Sequence, residues 1–300
     1  MRVLFVAWNF PPRLGGAENL AASLAAALAE EHEVTVLTGA GPAHPGRARV
    51  RRAPLPGFLG FLLWMPPALL LRGLRGRPDA VLVLGAPFAG IALAVSRLAR
   101  RRQVAMVLGS DLVYGGALYR AWLRLTLPRQ DRVLAISGHV AGLAREVGVA
   151  AERLAVVPPG VDPALAGAPA DPTSLPAAAG PVILFVGRVV PRKGLAPFVR
   201  HALPRVLARV PDAELWVVGG EPTDSLAHAT GELDRLRREL SAGPLADRVR
   251  LLGRVPQAAL VAALGRAAVL VLPALAESGD VEGFGIVFLE AALFGVPGVA

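Results

Sequence analysis

Cysteine is missing altogether from the 300 residues, which excludes structural disulfides and thiolate metal sites and suits a reducing compartment. Aromatic residues reach only 5%, too sparse to interleave with basic residues as nucleic-acid readers do, so nucleic acid is not an expected partner. The five histidines do not cluster at metal-ligand spacing, and no Ser-His-Asp arrangement is evident. Lysine occurs once, at Lys193, against 31 arginines. A signal-peptide pattern is lacking too, because Arg2–Ala7 is only a short apolar run before Asn9-Phe10-Pro11-Pro12.

What is present in quantity is apolar residue and positive charge. A hydrophobic fraction of 54% over this length exceeds what one compact core usually holds, so two domains are expected. The net charge of +9 is uneven: residues 1–175 carry 19 arginines against 11 acids, whereas residues 176–300 are nearly balanced. One-sided charge of this kind points to an anionic surface facing the first half, with anionic lipid as the functional reading and a solvated surface as the bland one. The longest uncharged stretch, Ala53–Leu71, approaches the roughly 20 residues of a membrane-spanning helix. Pro54, Pro56, Pro66 and Pro67, with Gly57 and Gly60, interrupt it and argue against spanning. A buried or surface-docked helix is expected instead. Arginines 47, 49, 51 and 52 before it and 72, 75 and 77 after it suit an interfacial segment.

Short apolar runs alternate with Ala/Leu-rich helical patterns, the signature of an α/β chain with parallel sheets. In the first half, strands are expected at Arg2–Ala7, Glu33–Thr38, Arg49–Ala53, Ala80–Leu84, Val104–Leu108, Val133–Ile136 and Leu154–Val157. Helices fall at Glu18–Glu30, Phe88–Arg101, Leu118–Leu127 and His139–Val147. A Pro/Gly-rich linker follows, and the pattern restarts with strands at Val182–Val186, Glu214–Val218, Val249–Leu252 and Val269–Leu272. Its helices are Ala196–Val210, Glu232–Ser241, Gln257–Gly265 and one from about Phe284 to Phe294. The expected domains are 1–160, a linker 161–180, and 181–300. The second domain reads as incomplete, because the last residues begin another strand with no helix after it.

Three segments carry chemistry. The turn Val186-Gly187-Arg188-Val189-Val190-Pro191-Arg192-Lys193-Gly194 follows a strand and precedes a helix. Arg188 offers a planar donor fork and Lys193 a point charge, a pair that suits a diphosphate. An incidental surface lysine is the bland reading of Lys193. In Glu282-Gly283-Phe284-Gly285-Ile286-Val287-Phe288-Leu289-Glu290, the glycines let a ligand approach the backbone. The two carboxylates could grip sugar and ribose hydroxyls. Glu282 is also explicable as a favourable charge at a helix start, but Glu290 falls in an otherwise apolar helix, where an unpaired carboxylate is costly. The third segment, Trp8 to Glu18, sets Gly15-Gly16 at a helix start as a plausible anion nest.

Together these segments resemble glycosyltransferase family 4, through the glycine pair after the first strand, Gly187-Arg188 with Lys193-Gly194, Val218-Gly219, Leu252-Gly253-Arg254-Val255, and Glu282-Gly283-Phe284-Gly285 with Glu290-Ala291. The resemblance implies a GT-B fold, two doubly wound Rossmann-like domains facing across a cleft. It implies a retaining, metal-independent transfer from a nucleotide-diphospho-sugar to a lipid-linked, polysaccharide or other glycan acceptor. No cofactor is expected. Arg188, Lys193 and Glu282 would be catalytic. Gly15, Gly16, Arg254, Val255, Gly283, Phe284, Gly285, Ile286 and Glu290 would bind the donor, with Glu290 on the ribose. Asn9, Ser110 and Asp111 would lie on the acceptor side, where loop capping is the competing role for Ser110 and Asp111. The absence of any Asp-x-Asp triplet fits metal independence, since fixed cations and helix ends can stabilise the same charge. Two departures from the family pattern stand out: Leu108 occupies the place of an expected histidine, and Pro159-Gly160-Val161-Asp162 has proline where asparagine is expected. The expected location is the cytoplasm, peripheral on the inner face of the cell membrane. Two other readings are a nucleotide-sugar epimerase of similar shape and a truncated, non-catalytic nucleotide-binding module.

Overall fold

A computed structural model describes residues 1–13, 15–44, 46–221, 231–241, 243–275 and 281–300. The chain divides into two compact units, one of Met1–Pro159 with Ser278–Phe284, the other of Gly160–Glu277 with Gly285–Ala300.

In unit 1 the strands are β1 (Arg2–Ala7), β2 (Glu33–Thr38), β3 (Arg49–Arg52), β4 (Ala80–Leu84), β5 (Arg102–Val107), β6 (Arg132–Ala135) and β7 (Leu154–Val156). All pair in parallel, in the order β3-β2-β1-β4-β5-β6-β7. The helices are α1 (Gly16–Glu31), α2 (Gly57–Arg75), α3 (Ala86–Leu98), α4 (Ser110–Val113), α5 (Ala117–Thr126) and α6 (Gly138–Glu146). The central strands are apolar almost throughout, as expected where helices cover both faces of a parallel sheet; Phe5, Val6, Val83 and Val107 are fully buried.

Unit 2 repeats the plan at smaller scale. Its strands are β8 (Val182–Val186), β9 (Glu214–Val218), β10 (Val249–Gly253), β11 (Ala267–Val271) and β12 (Gly298–Val299), parallel and ordered β10-β9-β8-β11-β12. Its helices are α7 (Leu195–Pro197), α8 (Leu203–Leu207), α9 (Glu232–Ser241), α10 (Gln257–Arg266) and α11 (Val287–Leu293). A π-helical turn, Phe198–Ala202, joins α7 to α8, so the stretch expected as one helix from Ala196 is continuous but widened in the middle. Both sheets have the Rossmann-like order, which reverses at β1/β4 and at β8/β11 and places ligand sites at the carboxyl ends there. The Pro/Gly-rich stretch 161–180 contains two short 3-10 turns, Pro163–Gly167 and Pro172–Ser174, opened by the side chains of Asp162 and Asp171.

One expected helix is more regular than its prolines suggested, and another starts later than expected. α2 runs without a break through Pro66 and Pro67. The two prolines forfeit bonds on the partly solvated side, while Phe61, Met65 and Leu69 stay fully buried on the other and hold the helix in place. Among the described residues it is the one helix long and apolar enough to cross a membrane. α11 starts at Val287, not Phe284. Gly285, at φ +76°, takes a left-handed conformation that a helix cannot contain.

A buried polar network ties β5 to the helices above it. Gln103 is fully buried, accepts from Ser96 Oγ at 2.7 Å, and donates to the Ala89 carbonyl at 2.7 Å and to Gln130 Oε1 at 2.9 Å. Gln103→Leu strands several of these partners. It is expected to lower unfolding free energy by about 2–4 kcal/mol, measured by urea denaturation.

Candidate functional site

In unit 2, the carboxyl ends of three adjacent strands are laced together through glycine. Gly187 N–H donates to the Val218 carbonyl at 2.9 Å, Val189 N–H to Gly220 at 3.0 Å, and Gly219 N–H to Gly253 at 2.7 Å. A Cβ on Gly219 would overlap the Gly187 carbonyl. The turn after β8 then closes on the loop after β11: Leu275 N–H donates to the Arg192 carbonyl at 2.7 Å. Gly194, at φ +66°, lies so close that any side chain would overlap the Pro273 carbonyl. Glycine is thus required by both conformation and space.

This lacing positions the cations. Pro191–Lys193 forms a 3-10 turn, and Lys193 is only 9% exposed, so it is not an incidental surface lysine. Its Cε would lie 3.8 Å from a Cβ on Gly187, which sets the lysine stem along the same glycine that precedes Arg188. Arg188 is half-buried. Arg254, exposed, donates to the Glu221 carbonyl at 3.3 Å, and Val255 beside it packs on the unit 2 core. On the other side of the sheet reversal, Gly285 packs against Leu272, at the end of β11. Ile286 is the N-cap of α11, and Glu290 sits in its first turn rather than two turns along. Burial raises the Glu290 carboxyl above its ordinary value.

The Glu282 segment is held by unit 1. Ser110 Oγ donates to the Val281 carbonyl at 3.0 Å, Phe284 packs on the unit 1 core, and a side chain on Gly283 would overlap the Leu108 carbonyl. The receiving turn is built by Asp111. Its carboxylate accepts from the amides of Ala86 at 2.8 Å, Leu108 at 2.9 Å and Gly109 at 2.8 Å. Burial raises the Asp111 carboxyl, opposed by these same amides. Tyr119 Oη donates to the Asp111 carbonyl at 2.7 Å. Ser110 and Asp111 therefore spend their polar groups on shaping the loop that receives Gly283, and the Leu108 backbone does the same.

At the first helix, Asn9 Nδ2 donates to Glu18 Oε1 at 2.6 Å. Glu18, 9% exposed, folds its other oxygen over Gly15. Gly15 caps α1 and Gly16 begins it, so the space a phosphate would take at the glycine pair holds this carboxylate. Sequence reasoning missed Glu18, although its position three residues after the cap is the signal of an acid that folds back on a helix start. Among the described residues no three His, Asp or Glu side chains gather as a metal site.

Residues 14–165, just over half of the chain, match the model of Glycosyltransferase Family 4, and residues 180–300 match that of Glycosyl transferases group 1. The chain belongs to glycosyltransferase family 4. It is similar to a GDP-mannose-dependent alpha-(1-6)-phosphatidylinositol monomannoside mannosyltransferase of Mycolicibacterium smegmatis, 31% identical over 99% of this chain and 80% of that protein. A phosphatidyl-myo-inositol mannosyltransferase of the same organism is 39% identical over 40% of this chain and 27% of its own length. Among solved structures, Anabaena Alr3699/HepE with UDP and glucose aligns at TM-score 0.78, with 21% identity over 99% of this chain and 80% of that one. The sucrose-phosphate synthase of Thermosynechococcus elongatus aligns at 0.75, with 20% identity over the same shares. The two sheets are those of the GT-B fold, and this family-4 member is a glycosyltransferase.

Gly283→Ala tests the docking of the Glu282 segment. The family-4 enzyme is expected to keep its circular-dichroism spectrum while kcat for sugar transfer falls about 100-fold, the cost of a misplacement near 1 Å.

Proposed function

We propose that this family-4 enzyme transfers a hexose with retention, without a metal, from a nucleotide-diphospho-sugar to a lipid-linked glycan acceptor at the inner face of the cell membrane. The observation that carries the reading is Lys193: the sole lysine, buried beside Gly187 in a turn whose geometry only glycine permits. In the proposed chemistry, Lys193 and Arg188 neutralise charge that grows on the departing diphosphate, the kind of fixed electrostatic stabilisation that accelerates group transfer most. Glu290 accepts from the ribose hydroxyls, Glu282 binds the sugar, and Arg254-Val255 border the base. Gly283, Phe284, Gly285 and Ile286 present backbone to the donor. The Asn9–Glu18 pair over Gly15-Gly16 offers hydroxyl-binding groups, while Ser110 and Asp111 act by positioning the Glu282 segment. The relative aligned over 99% of the chain makes GDP-mannose the first donor to try and a phosphatidylinositol mannoside the first acceptor.

The membrane part of the proposal has its own support. α2 packs on α3 and α3 on α5, and none of the three helices contains an acidic residue. Arg72, Arg75, Arg120 and Arg124 make no ion pair among the described residues, whereas Arg97 pairs with Asp131 at 3.1 Å. Leu59, Leu63 and Leu118 are 64%, 66% and 90% exposed. Basic and apolar groups exposed together, without acids, fit an anionic bilayer surface.

Lys193→Ala is expected to lower kcat about 100- to 1000-fold, the cost of one lost transition-state donor. Wild-type rates here would sink the assignment. Donor affinity should also depend on pH. A ribose-binding carboxylate must be ionised, and Glu290 is raised by burial, so nucleotide-sugar binding should weaken as pH falls toward and through that raised value. Glu290→Gln should bind more weakly and lose this dependence, as read by calorimetry across pH.

A further inference from the structure

Between the edge strand β3 and α2 lies an open cavity of about 580 Å3, within the size range of small-ligand sites. It is separate from every residue placed in sugar transfer above. Arg51, Arg52 and Arg72 line it together with Trp64, Pro67 and Leu71, and among the described residues no acidic one takes part in the lining. The nearest paired arginine of β3, Arg49, is engaged by Glu33 at 2.9 Å and does not line the cavity. The side chains of Arg51 and Arg72 make no hydrogen bond or ion pair among the described residues, and both residues are exposed. Arg52 is partly spent, donating to the Pro11 carbonyl at 2.7 Å and to Gly39 at 3.4 Å. Its Nε is nevertheless buried without a partner, and burial lowers its pKa.

The chemistry of the lining is one-sided. Among the described residues that line it, the only polar side-chain groups are three guanidinium forks and the Trp64 indole, all donors and none an acceptor. A ligand rich in hydroxyls would find no side-chain acceptor. A phosphate diester, which only accepts, is matched by guanidinium pairs. The remaining wall is apolar, and the exposed Leu63 and Leu59 lie further along the same helix. The cavity therefore asks for an anionic head with an apolar stem. We propose that it holds the phosphate headgroup of a single anionic phospholipid, with Trp64, Pro67 and Leu71 against the glycerol and the first acyl carbons. This deepens the membrane reading given above, and rests on it for the source of the lipid.

The test titrates the intact chain with monomeric dihexanoyl-phosphatidylglycerol below its micelle concentration, beside dihexanoyl-phosphatidylcholine and inorganic phosphate. Binding to the anionic lipid is expected to be at least about tenfold tighter than to either other probe, since each well-made charged hydrogen bond accounts for a factor of that order. Arg51→Gln/Arg72→Gln should lose at least about tenfold, with an unchanged melting temperature. The same change at Arg205 and Arg209, exposed in unit 2, should leave binding intact. Equal affinity for inorganic phosphate, or equal loss in both double variants, overturns the site. Sedimentation with phosphatidylglycerol vesicles at low salt separates the two claims. If vesicles bind but the Arg51/Arg72 variant binds them as well as the control, the membrane reading stands and the headgroup site falls. If vesicles fail to bind while the short-chain lipid still does, the site stands and the membrane reading falls.

Discussion

Backbone-to-backbone contact at the carboxyl ends of β8, β9 and β10 governs what unit 2 can do. A side chain at Gly219 would overlap the Gly187 carbonyl, and one at Gly194 would overlap that of Pro273. With those contacts in place, the turn after β8 has little freedom, and Lys193 is buried where the sheet order reverses. A cation held this way is already in position before a ligand arrives. In the proposed transfer from a nucleotide-diphospho-sugar, such fixed charge would do more than mobile charge.

Unit 1 uses the same device for another purpose. Asp111 gathers three amides from two segments, Ala86 at the start of α3 and Leu108-Gly109 after β5. The turn it makes accepts Gly283, and Ser110 fastens Val281. The Glu282 segment is thereby anchored in unit 1, while Gly285 and the helix that carries Glu290 belong to unit 2.

Much of this was legible in the linear sequence, and what was not has definite causes. Runs such as Arg2–Ala7, Ala80–Leu84, Val182–Val186 and Glu214–Val218 keep the limits expected of them, because β-rich apolar runs between turn residues leave few alternatives. α2 was harder to read, since Pro66 and Pro67 argue locally for a break while burial of Phe61, Met65 and Leu69 decides for a helix. The late start of α11 depends on the left-handed Gly285, which composition does not reveal. At the site, the Gly187–Gly194 turn stood out from its residues alone. Loop capping by Asp111 was one of the two roles its position allowed, and its bonds to Leu108 and Gly109 are that capping, whereas its Ala86 partner meets it only after folding. Glu18 was overlooked for a related reason: its partner Asn9 belongs to the preceding loop.

Titrating the chain calorimetrically with a nucleoside diphosphate in excess EDTA addresses the central claim, that fixed cations in unit 2 hold the donor's diphosphate. Saturable one-site binding that Lys193→Ala abolishes is the result this account predicts. No binding, or binding that returns only when a divalent ion is restored, would contradict it.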